Sequence, residues 1–149
     1  MSENSLLKNN VFGRVANAGS AGTGTTNSTG VDTKDAHSVL FQILFGAIVT
    51  GAVVTVKLQE SDDNSTFTDV TSADSNASFA VADDQDNKVA MIEFFRPQKR
   101  YVRVSVVVAT QNATIDGILY VLSCGLRTLP TSQPASIVST GNKVCISAQ

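Results

Sequence analysis

The chain of 149 residues has no tryptophan, one histidine, two cysteines and three prolines, and aromatic residues make up only 6% of it. Each scarcity removes a class of function. A single histidine, His37, leaves histidine-based metal sites and most nucleophile–base pairs without their parts. Cys124 and Cys145 are too few for a disulfide framework, and no third or fourth ligand stands near either to complete a zinc site. Both read as small buried hydrophobes, with a bridge between them as the alternative. Without tryptophan, the aromatic platform of a sugar-binding sandwich is thin. Tyr101 faces outward by alternation, beside Arg103, and Tyr120 is the only other tyrosine. The net charge of −2 at pH 7 lacks the basic excess that marks nucleic-acid binding. The basic positions between Arg96 and Arg103 fall in a strand pattern and read as a solvated face. The longest apolar run, residues 39–49, is too short to span a bilayer and is interrupted by Gln42. Residues 1–10 are polar, and no apolar run with a small-residue cleavage site follows them. A soluble, non-enzymatic protein made in a cytoplasm is expected, with no catalytic residues, no cofactor, no metal, no nucleic acid and no membrane partner.

What the chain does have is alternation. In residues 51–70, Ala52, Val54, Val56 and Leu58 share one face of a strand, and Thr55, Lys57 and Gln59 share the other. The run Ser61-Asp62-Asp63-Asn64-Ser65 is a polar turn, after which Phe67 and Val70 are expected to return to the core. This is an antiparallel hairpin. Before it, Val39, Phe41, Ile43 and Phe45 share a face, with Leu40, Gln42 and Leu44 opposite, which predicts a central strand covered on both sides. After it, a polar loop holds one short strand with Phe79 and Val81. Residues 87–95 then place Ala90, Ile92 and Phe94 on one side, and Pro97 ends that strand. Residues 99–109 turn Val102, Val104, Val106 and Val108 inward. Gln111-Asn112-Ala113 reads as a turn. A further strand over 114–124 puts Ile115, Leu119 and Val121 on a shared face, with Asp116-Gly117 allowing a bulge. No stretch combines helical period with caps. The fold class expected is all-β, an antiparallel β-sandwich, with jelly-roll order as one way to build it.

The ends differ from this middle. Residues 17–30 contain only Asn, Ala, Gly, Ser and Thr, too little apolar surface to offset ordering entropy. Upstream of them stand Leu6, Leu7, Val11, Phe12 and Val15. The division expected is a flexible N-terminal arm over 1–30, a sandwich core over 31–125 and an extended C-terminal segment with a short hairpin over 126–149. Those five apolar residues are the candidate partner-binding set. Two readings stand side by side: an anchor that docks on a neighbouring chain, or an extra strand folded back on its own domain. The acidic runs Asp62-Asp63-Asn64 and Asp83-Asp84-Gln85-Asp86 lack the spacing and glycine of a calcium loop and read as solvated turns. Four Asn-x-Ser/Thr triplets, at Asn27, Asn64, Asn76 and Asn112, are attributed to the abundance of these residues.

Three segments carry a resemblance. The segment from Val56 through Lys57-Leu58-Gln59-Glu60-Ser61-Asp62-Asp63-Asn64-Ser65-Thr66-Phe67-Thr68-Asp69 to Val70 resembles one that recurs in small structural proteins of tailed bacteriophages. Lys99-Arg100-Tyr101-Val102-Arg103-Val104 resembles a later strand of the same proteins, and Val31-Asp32-Thr33-Lys34 fits ahead of an apolar strand. The match covers about residues 31–124. Asn64 stands where glycine is common, and Phe67 replaces the tryptophan of a related pattern in discoidin-like, galactose-binding sandwiches, so glycan contact is at most weak. The resemblance implies a virion protein, most like a capsid decoration (cement) protein. Its expected partners are the major capsid protein and copies of itself, as a homotrimer, on the capsid surface of a particle assembled in the host cytoplasm. A tail, neck or fibre-adaptor component and a carbohydrate-binding module are the alternatives.

Overall fold

The computed structural model describes residues 6–71, 76–123 and 134–137. Among these are a single helical turn, α1 (Leu6–Asn9), and nine strands. The strands are β1 (Asn10–Ala16), β2 (Gly22–Asn27), β3 (Val31–Asp32), β4 (Ser38–Ile48), β5 (Val53–Ser61), β6 (Thr68–Asp69), β7 (Ser78–Val81), β8 (Val89–Phe95) and β9 (Tyr101–Ser123). Every pairing between them is antiparallel.

β9 is 23 residues long. Drawn straight, it would span about 75 Å, whereas a globular chain of this length has a radius of gyration of about 15 Å. The strand therefore has to turn a corner. Its first half pairs with β5 on one flank and with β2 and β3 on the other. Its second half pairs with β4 on one flank and β1 on the other. β6 and β7 extend the first layer beyond β5, and β8 extends the second beyond β4. The result is an antiparallel β-sandwich made from one curled sheet, with β9 passing from layer to layer, as expected where a bulge lets a strand change sheets.

The corner occupies residues 109–112, all exposed. Gln111-Asn112-Ala113 is thus not a hairpin turn; the chain continues in the same strand. Thr110 has a φ of 71°, which breaks the alternation. Inward positions are even up to Val108 and odd at Ala113 and Ile115. Gly117, at φ 142°, breaks it again, and Ile118 and Leu122 become the buried pair. The bulge at Gly117 therefore corrects the face expected after Ile115: Leu119 and Val121 lie outside, and Ile118, Tyr120 and Leu122 lie inside.

Elsewhere the alternation held. Val39, Phe41 and Ile43 of β4, Val56 of β5 and Val102, Val104 and Val106 of β9 are fully buried, and one apolar cluster joins both layers. Ser28 fills the gap between β2 and β3. Its N–H donates to the Val104 carbonyl at 2.9 Å, and its hydroxyl accepts from the Val104 N–H at 3.1 Å. Those bonds keep β9 paired where no strand lies beside it.

The N-terminal region is a correction. Residues 10–27 are not a flexible tether, because β1 and β2 are paired to β9 along their lengths. The backbone of β9 supplies the hydrogen bonds that the side chains of 17–30 do not provide. Cys124, Cys145 and nearly all of the expected C-terminal hairpin lie outside the described residues.

Two measurements check this construction. Val56→Asp buries a charge without a partner, which costs several kcal/mol, enough to unfold a domain of ordinary stability, whereas Thr55→Asp, on the outer face, should shift the melting temperature by only a few degrees. Deleting residues 1–30 strips one flank of β9, so the truncated protein should lose cooperative thermal melting.

Candidate interaction surface

The two outer faces of the sandwich differ in kind. On the β5 layer, polar side chains dominate and bind one another. Lys57 Nζ lies 2.8 Å from Asp69 Oδ2, and Gln59 Nε2 donates to Asp69 Oδ1 at 2.7 Å. Arg103 Nε donates to Gln59 Oε1 at 2.8 Å, and its guanidinium lies 4.1 Å from the centre of the Phe67 ring. Lys99 Nζ donates to Thr68 Oγ1 at 3.2 Å. At the end of this layer, Arg100 grips Asp32 with two parallel bonds, at 3.1 and 2.7 Å. The Arg100 bonds hold the Asp32 carboxyl below its ordinary range, and the bonds from Lys57, then Gln59, do the same for Asp69.

The three segments that carry the phage resemblance therefore meet in one polar clasp. It ties the β5–β6 loop and β3 to the start of β9. Phe67 belongs to this clasp and not to the core where it was expected: it is half-buried beneath Arg103 on the outside. The loop itself is wound around Asp63. Its Oδ1 accepts from the N–H groups of Thr66 at 2.8 Å and Ser65 at 2.9 Å and from the Ser61 hydroxyl at 2.8 Å. These bonds, led by that from Thr66, lower its pKa from 3.8 to about 2. Asn64 follows at φ 58°, a left-handed conformation that asparagine and glycine adopt more readily than other residues.

The second acidic run is also structural. Asp86 accepts from the Ile48 N–H and Asp83 from the Gly51 N–H, both at 2.5 Å, so these carboxylates hold the β4–β5 loop. His37 is tied through its backbone, to Ser123 and Arg96. Tyr101 has Arg100 over its ring at 5.1 Å, so its face is not an open sugar platform. A slot of about 380 Å³ opens where the β7 and β8 edges do not pair. Its lining is mostly apolar, from Phe45, Phe79, Val81 and Ala90, with Lys88 bonded to Gln85 at its rim.

The β4 layer presents a different outer surface. Register across β8, β4, β9 and β1 sets side chains in rows: Glu93, Leu40, Val121 and Phe12; then Met91, Gln42, Leu119 and Arg14. Val89 and Leu44 begin the next row, and Phe95 closes the other end. Val89, Met91 and Phe95 are 51%, 60% and 61% exposed. This is an apolar sheet face open to solvent, the kind of surface that marks assembly or binding.

The five apolar residues of the N-terminal segment do not form one anchor. Val15 is buried and Val11 packs against the core, Phe12 falls on the opposite face of β1, Leu6 is exposed in α1 and Leu7 is half-buried beside it. The residues the sequence pointed to least were Met91 and Val89. Their alternation with Ala90 and Ile92 was visible, but their exposure on an outer face was not.

No protein-family model matches the chain, and no curated protein matches it significantly. Among solved structures, the fold is similar to that of the PBSX exported protein XepA, with a TM-score of 0.52 and 16% identity over 100% of this chain and 47% of that one. The chain thus spans about half the length of that protein. Weaker similarities are to a structure of the infectious bursal disease virus Gt strain and to disulfide-linked pili of Bacillus endospore appendages. The first has a TM-score of 0.47 and 13% identity over 81% of this chain and 34% of that one. The second has a TM-score of 0.44 and 15% identity over 83% and 96%. At these identities the likeness is one of fold.

The Asp63 carboxyl gives a pH test. Its folded pKa is depressed, so its stabilisation is complete above the ordinary 3.8 and is lost as pH falls through about 2. Asp63→Ala should therefore lower the melting temperature at neutral pH. The gap from the wild type should close between about pH 4 and pH 2 in parallel thermal melts.

Proposed function

We propose that this chain is a non-enzymatic structural protein of a tailed-bacteriophage virion, a capsid decoration (cement) protein that binds the major capsid protein lattice and stabilises the head. The observation that carries the reading is the asymmetry of the two outer faces. One is a polar layer whose Lys57, Lys99, Arg100 and Arg103 already have partners, suited to solvent. The other is an apolar sheet face suited to burial against protein. Five acidic side chains are spent on structure: Asp32 and Asp69 in the clasp, Asp63 in its loop, Asp83 and Asp86 on the β4–β5 backbone. The resemblance of the clasp segments to small phage structural proteins supports a virion location. On a shell, many identical copies turn modest contacts into firm attachment.

Particle imaging tests it. Recombinant protein added to particles that lack it should appear at many equivalent positions on the capsid surface and raise the temperature at which the head disrupts. A few copies confined to one vertex would replace this reading with a tail, neck or fibre-adaptor role.

A further inference from the structure

We infer that β8 is an open sheet edge that takes β8 of a second copy of this chain, antiparallel about a twofold axis, so that the β4 layers of two copies join into one sheet. The inference concerns this edge alone and does not rest on the virion location. It puts a dimer in place of the homotrimer expected from sequence.

The other edges of the sandwich are blunted. β3 and β6 are two residues long and β7 is four. β2 breaks register between Gly22 and Gly24, where Gly24 has a φ of 127°. On β1, the Arg14 N–H already donates to the Ser136 hydroxyl at 3.1 Å. β8 has none of these devices. It runs for seven residues in unbroken register with β4, from Phe95 opposite Ser38 to Val89 opposite Leu44. It contains no proline, no lysine and one charge, Glu93. Such an edge is a template for a further strand.

The hydrogen bonds to β4 show which groups are open. The Lys88 carbonyl accepts from the Phe45 N–H at 3.0 Å, and the Arg96 N–H donates to the His37 carbonyl at 2.8 Å. Even positions of β8 thus turn their backbone to β4, and Val89, Met91, Glu93 and Phe95 turn theirs to the free side. In an antiparallel pair of β8 strands, a single register uses all four. It sets Val89 opposite Phe95 of the partner subunit and Met91 opposite Glu93 of the partner subunit, each twice, with about eight main-chain hydrogen bonds. It also keeps Glu93 from facing its own copy.

Charge complementarity at the two ends of the strand selects a second copy as the occupant. Residues 82–88, before β8, hold three aspartates and one lysine. Residues 96–100, after it, hold Arg96, Lys99 and Arg100 and no acidic residue. Antiparallel pairing sets the acidic end of each strand beside the basic end of the other, twice over, as an isologous interface requires. Parallel pairing would set like ends together. Lys88 falls level with Arg96 of the partner subunit but on the other face of the sheet. Lys88 bends to Gln85 at the rim of the slot, whereas Arg96 lies 5.2 Å over the outward Phe95 ring.

Sedimentation of the full chain from about 1 μM to about 1 mM tests this. The expected result is a monomer–dimer equilibrium. Met91→Glu sets a carboxylate opposite Glu93 of the partner subunit, twice, and should weaken the dimer about fivefold or more. Met91→Lys, at the same exposed position, sets opposite charges together and should leave the dimer as strong or stronger. Neither should change the melting temperature. In amide hydrogen exchange read by NMR, Met91 and Glu93 should slow as concentration rises, while Ile92, bonded to β4, is slow throughout. A chain that stays monomeric, or a trimer, overturns the inference. So do equal losses in the two Met91 variants, which mark burial of a face in place of edge pairing. A dimer whose Met91 and Glu93 amides exchange as fast as in the monomer overturns it as well.

Discussion

The backbone pairing of β9 is the constraint on which the rest of this structure depends. Its 23 residues find partners on both flanks in each layer, so five other strands owe their place to it. A strand this long cannot stay flat inside a small domain. The curl at residues 109–112 brings its two halves into separate layers, and the valines of the first half then meet Ile115, Ile118 and Leu122 of the second across one core. Thr110 and Gly117 are where the period-2 pattern is broken, and each break turns the following side chains to the face that the curved layer needs.

The same dependence explains the N-terminal region. Strands rich in Gly, Ser and Thr have little packing energy of their own. β2 is ordered because β9 offers an unfilled edge of N–H and C=O groups, and β1 because it adds Val11 and Val15 to the core as well. Edges that a second chain would otherwise find are covered within the molecule.

The polar clasp separates motif from function. The segments that resemble phage structural proteins hold the β5–β6 loop and β3 against β9 through Asp32–Arg100, Lys57–Asp69 and Arg103 over Phe67. Each of these is exposed or half-exposed, where a single pair contributes little. Their value is in fixing the loop and register together. A recurring motif of this kind reports the fold. The exposed apolar side chains lie on the other layer, at positions outside the motif.

The sequence by itself determined the fold class and the inward sets of β4, β5, β8 and the first half of β9, because alternation over a strand is a local property and burial follows it directly. It also determined the tight loop around Asp63, whose partners lie within three residues. Only the tertiary structure decided that Tyr101–Ser123 is one strand, since a corner and a turn carry the same exposed residues. It alone turned Leu119 and Val121 outward, because one left-handed residue at Gly117 reverses every position after it. It also ordered β2 and lifted Phe67 out of the core, through partners more than thirty residues away. And it left Met91 and Phe95 largely exposed, because whether a second layer lies over a strand depends on the path of the whole chain.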